Sequence, residues 1–191
     1  MKAAIGLGNP GLAYALSRHN VGFHVIDLYR QVERRVGRGR RRCSARVYRH
    51  GDLLLAKPMT GMNASGEAVS RLVSLYALHP QDLLLVHDDL DLPLGRMRIV
   101  PGGGAGTHKG VLSVHETLGT CRVPRMKIGI EAEDRELDGA TFVLRSFSEG
   151  EWNDLSPILR RAAAAIAAFR RHPLDQVMTE FNTEPGTVAA A

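Results

Sequence analysis

The 191-residue sequence has only two cysteines, few aromatic residues and no long hydrophobic run. Cys43 and Cys121 lack the spacing of a metal or redox motif, and one possible pair does not make a disulfide framework. The apolar N-terminal run ends at Gly6, which is too short for a signal peptide or a membrane span. We therefore expect a cytoplasmic protein with reduced thiols and no membrane association.

Lysine is also scarce: only four of the 25 basic residues are lysines, although the formal net charge is +5. An excess of cations suits a phosphate-rich partner, because binding releases counterions from nucleic acid. An arginine-rich composition can equally follow from genomic base composition. Charge alone therefore leaves nucleic-acid binding open.

Apolar runs of strand length alternate with segments of helical periodicity along the chain. This alternation predicts a single-domain α/β sandwich, with a mixed sheet and helices on both faces. We expect the domain to span 1–182, a frayed tail to follow at 183–191, and residues 34–42 to form a basic loop. Pro157 is expected to make the last long helix restart at Ser156. The predicted strands are 2–7, a hairpin over 44–58, 82–89, 96–100 and 125–131.

The segment Gly6–Gly11 fits G-x-G-x-x-G, the fingerprint of dinucleotide-binding proteins. In those proteins the glycine turn runs straight into a helix, and an acidic residue follows about 20 positions later at the end of a second strand. Here Pro10 interrupts the turn, helical periodicity starts only near Val21, and the nearby acid Asp27 falls within the predicted helix. We therefore expect no dinucleotide cofactor, and a cofactor-dependent oxidoreductase is the weakest of three alternatives.

Polar residues cluster where the predicted strands end and where two helices begin. Ligands of α/β sheets bind outside the carboxyl ends of the strands, so we expect these residues to meet at one rim. The cluster comprises Asn9, Tyr14, His19, Asn20, Met62, Asn63, His87, Asp88, Asp89, Asp91, Thr107, His108 and Lys109.

The chemistry that these residues favour is hydrolysis by an activated water. A histidine oriented by a carboxylate can take a proton from water, and His19 with Asp88 fits that description. Neutral asparagines such as Asn9 and Asn63 can position a carbonyl or donate to a developing oxyanion. The sequence contains no G-x-S-x-G motif that would supply a nucleophile instead.

Ordinary structural roles remain open for the same residues. Asn9 is suited to a turn before Pro10, and Asn63 to capping a helix. The carboxylates of 88–91 are also suited to binding Mg²⁺, although strands often end in turn-forming aspartates.

Taken together, these motifs resemble bacterial peptidyl-tRNA hydrolase along nearly the whole chain. The resemblance implies a monomeric α/β sandwich that needs no cofactor and no metal. It also implies hydrolysis of the ester between a peptide and the 3′ ribose of tRNA, which recycles tRNA from stalled translation. The motifs are GLGNPGLAYALSRHNVGF (6–23), KPMTGMNASGEAV (57–69), VHDDLDLPLGRMRI (86–99), GGGAGTHKGV (102–111) and MKIGI (126–130).

The resemblance also implies a role for individual residues. His19 matches the catalytic base, and Asp88 matches the carboxylate that partners it. The substrate-binding matches are Asn9 and Asn63 for positioning, Tyr14 at the acceptor end, and Lys127 on the 5′ phosphate of the tRNA.

Three positions depart from the family pattern. Lys109 stands where many members have an asparagine, and Gly61 stands where an aromatic residue is common. Val100 replaces a phosphate-binding lysine, and Arg98, on the same face of the predicted strand, is expected to substitute for it. Lys109 is itself expected to contact phosphate or the oxyanion. These departures leave open a non-catalytic RNA-binding homologue, as in organellar splicing factors, although the retained catalytic residues favour the enzyme.

Overall fold

A seven-stranded mixed sheet runs through the protein, whose computed structural model describes residues 1–131 and 138–183. The strands are β1 (Lys2–Gly6), β2 (Arg40–Arg42), β3 (Ala45–His50), β4 (Leu53–Pro58), β5 (Leu83–Pro93), β6 (Met97–Val100) and β7 (Arg125–Glu131). Their order is β2-β3-β4-β1-β5-β7-β6. The four central strands β4, β1, β5 and β7 are parallel, so their carboxyl ends share one edge of the sheet. The predicted hairpin is confirmed as the antiparallel pair β3 and β4.

Helices cover both faces of this sheet, as the sequence predicts. They are α1 (Val21–Val32), α2 (Ser65–Tyr76), α3 (Lys109–Leu118), α4 (Gly139–Leu144), α5 (Glu149–Arg171) and α6 (Leu174–Asn182). Successive side chains of a strand point to opposite faces. Accordingly, Ala4 of β1 packs in the core beneath α1 and α5, whereas Ala3 and Ile5 pack in the core beneath α2 and α3.

Close packing brings α1 down onto the strands that carry the rim. A Cβ atom on Gly22 would lie 2.3 Å from the carbonyl oxygen of Val86 and 2.5 Å from that of Leu7. Only glycine allows this approach. This close contact fixes the position of the short turn before α1. The turn contains His19 and lies over the carboxyl ends of β1 and β5.

Two predictions about local structure were wrong. Residues 40–42 form the edge strand β2 instead of a loop, because the backbone pairs with β3 whatever the side chains are. The exposed arginines of β2 discourage a further strand from adding at this edge. Helix α5 runs without a break through Pro157, because proline removes only one backbone hydrogen bond and Leu155 and Leu159 remain buried on either side of it.

The described residues contain no helix that is long and apolar enough to cross a membrane. Of the predicted tail 183–191, all but Thr183 lies outside the described residues. The glycine turn does not lead into a helix: short 3₁₀ turns follow it, and α1 begins only at Val21, which agrees with the rejection of the dinucleotide fingerprint.

Candidate active site

A cavity of about 820 Å³ opens at the shared carboxyl edge of the central strands. It brings together seven of the eight predicted site residues. Arg98 is the exception: it is exposed beside the cavity and pairs in register with Lys127. The predicted residues that line the cavity are Asn9, Tyr14, His19, Asn63, Asp88, Lys109 and Lys127, and His87, His108 and Arg125 line it as well.

The His19 ring is held by the carboxylate of Asp88. Its Nδ1 lies 2.9 Å from each carboxylate oxygen of Asp88, which is only 2% exposed. Because a carboxylate only accepts hydrogen bonds, Nδ1 carries the proton. The lone pair of a neutral ring therefore lies on Nε2, in a side chain that lines the cavity.

His108 is a second donor to Asp88. Its Nε2 lies 3.0 Å from Asp88 Oδ1, while its Nδ1 accepts the backbone N–H of Val111 and so caps α3. Because Nδ1 must accept from that N–H, the proton of the neutral ring lies on Nε2. Sequence reasoning placed His108 at the rim but gave it no role. Its position before α3, where a capping residue is expected, was the available signal.

Both histidines keep Asp88 ionised. Burial opposes its ionisation, but His108 and then His19, by charge and by hydrogen bonding, lower the pKa of Asp88 far below its ordinary value. A buried carboxylate that accepts from both rings fixes the tautomer and orientation of each.

A third histidine ring, that of His87, packs against the ring of His108. The His87 ring lies edge-on to His108 at 4.7 Å between centroids, and its Nδ1 donates to the backbone oxygen of Asp88 at 2.6 Å. Burial above all, and then the charge of His108, lowers the pKa of His87 well below the ordinary histidine value. His87 is therefore neutral, and no described residue hydrogen-bonds its Nε2.

Asn9 is fixed by three hydrogen bonds. Its side-chain oxygen accepts the backbone N–H of Met62 at 2.8 Å, and its backbone N–H and C=O bond the side chain of Asn20 at 2.7 and 2.9 Å. Asn20 thus braces Asn9 instead of capping α1 with its side chain. The side-chain NH₂ group of Asn9 has no partner among the described residues and can donate into the cavity. Asn63 follows Met62 in the short turn before α2, and it is exposed in the lining of the cavity.

Arg18 connects the His19 turn to the opposite wall of the cavity, which α4 forms. The Arg18 guanidinium donates to the backbone oxygen of Ser146 at 2.6 Å and pairs with Glu151 at the start of α5. Its backbone N–H donates to the oxygen of Arg145, directly after α4. The turn that carries His19 is therefore fastened to two helices.

Within the described ranges, one group of side chains has the spacing of a metal site: His19, Asp88 and His108, whose ligand atoms lie within 4.8 Å of one another. A metal would need the lone pair on Nε2 of His108, and the Val111 N–H opposes that tautomer. At the carboxylates that are suited to Mg²⁺, Asp89 pairs with Lys127 at 2.6 Å and accepts the backbone N–H of Asp91.

Comparison with known proteins gives consistent matches over almost the full chain. The family model described as Peptidyl-tRNA hydrolase matches residues 3–188. The Peptidyl-tRNA hydrolase of Moorella thermoacetica is 42% identical over 189 residues, covering 93% of this chain and 96% of that protein. The one from Desulforudis audaxviator is 43% identical over 190 residues, covering 96% and 94%. The crystal structure of peptidyl-tRNA hydrolase from Acinetobacter baumannii is similar with a TM-score of 0.88 and 26% identity, over 96% of this chain and 95% of that one.

Proposed function

The chain belongs to the peptidyl-tRNA hydrolase family, and from that membership we propose that His19 activates the water that cleaves its substrate. The protein is a hydrolase of peptidyl-tRNA. The observation that supports the proposed base is the bond from His19 Nδ1 to Asp88, which leaves the lone pair of the ring on Nε2.

In the proposed reaction, His19 Nε2 takes a proton from a water molecule, and the oxygen of that water attacks the ester carbonyl carbon. Asp88 stabilises the imidazolium that forms. The tetrahedral intermediate then collapses, the bond to the 3′ oxygen of the ribose breaks, and His19 returns its proton to that oxygen. The products are the free peptide and deacylated tRNA, which becomes available again for translation.

Asn9 and Asn63 hold the peptide and stabilise the intermediate in this proposal. The side-chain oxygen of Asn9 is already bonded to Met62, so the amide presents its N–H donors without reorganisation. Donors fixed in this way lower the energy of a developing oxyanion. Tyr14, 39% exposed at the cavity mouth, is suited to contact the acceptor end.

The basic residues at the cavity bind phosphates of the acceptor stem. Lys127 and Arg98 lie side by side on β7 and β6. Lys109 is exposed at the start of α3. Phosphate contacts fix position without reading base sequence, which suits an enzyme that must accept many tRNAs.

We also propose that the enzyme acts as a cytoplasmic monomer whose domain spans 1–182. All the proposed catalytic residues lie in one chain, and the described cysteines Cys43 and Cys121 are free thiols. Gel filtration with light scattering would test the monomer, and a dimer whose dissociation abolished turnover would contradict it.

The function is tested by the release of deacylated tRNA from N-acetyl-aminoacyl-tRNA, with free aminoacyl-tRNA as the control substrate. We expect rapid cleavage of the blocked substrate alone. Binding of both tRNAs without cleavage would instead identify the non-catalytic homologue and make Lys109, which departs from the family pattern, the first residue to replace.

A further inference from the structure

Arg125 is a buried cation in the wall of the cavity. It begins β7, is 4% exposed and is one of the residues that line the cavity. The guanidinium makes one hydrogen bond, from Nη2 to the backbone oxygen of Gly102 at 3.2 Å. Its buried Nε has no hydrogen-bond partner, and no carboxylate pairs with it, among residues 1–131 and 138–183. A buried charge without a counter-charge is costly, because it has lost water and gained nothing equivalent.

The other cations at the site do not share this condition. Lys127 is paired with Asp89, whereas Lys109 and Arg98 are exposed to water. Asp89 acts on Arg125 only from a distance: burial lowers the pKa of Arg125, and Asp89 partly opposes that effect. Of these four cations, Arg125 therefore gains most from an anion that enters the cavity.

The wall of the same cavity contains a second buried polar atom without a described partner. This atom is Nε2 of His87. The pKa of that ring is lowered mainly by burial, and the charge of Arg125 adds to the lowering. Since His87 uses its Nδ1 proton on the oxygen of Asp88, Nε2 can only accept. The cavity wall thus contains unused guanidinium donors and an unused acceptor, a combination that fits a phosphate oxygen together with a hydroxyl group or a water.

A glycine-rich loop lies against the guanidinium of Arg125. The loop that covers it contains Gly102, Gly103 and Gly104, and a Cβ atom on Gly103 would lie 3.4 Å from Nη2 of Arg125. Gly103 also has a φ of +115°, which other residues rarely adopt. A side chain at position 103 would therefore contact the guanidinium.

We propose that Arg125 binds the last phosphodiester of the tRNA, the one that joins the terminal nucleotide to its predecessor. This proposal rests on the proposed function, in which the scissile ester lies at His19. The peptide carboxyl is esterified and acidic side chains occur in only some peptides, so the last phosphodiester is the nearest anion that every substrate carries. Arg125 and Lys127 share one face of β7, and they would contact successive parts of the same RNA backbone. A guanidinium matches phosphate with two parallel hydrogen bonds.

The experiment compares two N-acetyl-aminoacyl-tRNAs that differ only in the last linkage, which is either a phosphodiester or a neutral methylphosphonate. For the wild type we expect kcat/KM to fall about tenfold to a hundredfold on the neutral substrate, as expected for loss of a charged hydrogen bond. The Arg125→Gln variant should be slow on both substrates and should discriminate little between them. Arg125→Lys should keep part of the discrimination, and Arg122→Gln, an exposed arginine nearby, should keep all of it.

Equal rates of the wild type on the two substrates would overturn the proposal, whatever the variants do. It would also be overturned if Arg125→Gln, checked by its melting temperature, lost the same factor as the wild type on the neutral substrate, since Arg125 would then be purely structural. Arg125→Lys supplies the comparison if the glutamine variant does not fold. Cleavage of the all-phosphate substrate tests the hydrolase function separately, and the Kd values of the two tRNAs give the same comparison without turnover.

Discussion

Replacing Asp88 with asparagine is expected to disable His19 through the tautomer of its ring. An asparagine side chain has one accepting and one donating end, whereas the carboxylate accepts from both histidines. His108 must donate from Nε2, because its Nδ1 accepts the Val111 N–H. The oxygen of the introduced asparagine therefore faces His108, and its NH₂ group faces Nδ1 of His19. Nδ1 of His19 then lies 2.9 Å from the oxygen at the Oδ1 position and 2.9 Å from the NH₂ group at the Oδ2 position. The NH₂ protons disfavour a proton on Nδ1, so the population shifts toward the tautomer with the proton on Nε2, where the base needs its lone pair.

The expected loss in kcat is up to about 10⁴-fold, the size of the effect when the same substitution imposes the wrong histidine tautomer in a serine protease. The melting temperature should change little, because asparagine has nearly the shape of aspartate and every hydrogen bond around it keeps a partner. KM should also stay near the wild-type value, since Asp88 is 2% exposed and lies behind the histidine rings. The assay is steady-state cleavage of N-acetyl-aminoacyl-tRNA.

His108→Ala supplies the control. Without His108, the introduced asparagine is free to turn its oxygen toward His19 and restore the correct tautomer. The factor lost on Asp88→Asn should therefore be smaller in the His108→Ala background than in the wild type, which a double-mutant cycle measures. An Asp88→Asn enzyme within about tenfold of the wild type, or an equal loss in both backgrounds, would refute the reasoning.

Three further outcomes follow from the contacts around the site. Burial opposes ionisation of Glu151, but the backbone N–H at the helix start and its arginine partner lower its pKa, so its stabilising effect should be complete near neutral pH and decline progressively as the pH falls below about 5. The difference in melting temperature between wild type and Glu151→Gln should shrink over that range, and a constant difference would contradict this. Gly66→Ala would place a Cβ 2.1 Å from the carbonyl oxygen of Ser113. Urea unfolding should therefore show a free energy of unfolding lower by roughly 3 kcal/mol or more. An unchanged unfolding midpoint would show that α2 and α3 can move apart without cost. Asn20→Ala removes both bonds that brace Asn9, so we expect about 1–3 kcal/mol of destabilisation together with lower kcat, whereas full activity would mean that Asn9 needs no brace.

The layered α/β fold could be predicted because each buried strand is a short apolar run and each helix has its own apolar stripe. The meeting of His19 and Asp88 could be predicted for a similar reason. His19 lies in the turn beyond β1, Asp88 lies in β5 toward its carboxyl end, and β1 and β5 are parallel neighbours. The rim of a parallel sheet collects such residues whatever their separation in sequence.

The contacts that depend on loop conformation could not be predicted. The bond from His108 to Asp88 requires the glycine loop before α3, where Gly103 and Gly106 take positive φ values. Arg125 is buried because of the register in which β7 pairs with β5. The pattern of apolar residues in the sequence does not predict that a charged residue will be buried there. Strand β2 could not be predicted because it consists of three exposed arginines, which have no apolar alternation, and only its backbone pairing with β3 defines it.

Replacement of His19 by asparagine, assayed on N-acetyl-aminoacyl-tRNA, tests the proposed base most directly. The matched control is His79→Asn, since His79 is exposed and lies outside the cavity. If His19 activates the water, its replacement should lower kcat by about 10²-fold to 10⁴-fold while the Kd for tRNA and the melting temperature stay close to those of the control. A His19→Asn enzyme that keeps kcat within about tenfold of the control would show that another group activates the water.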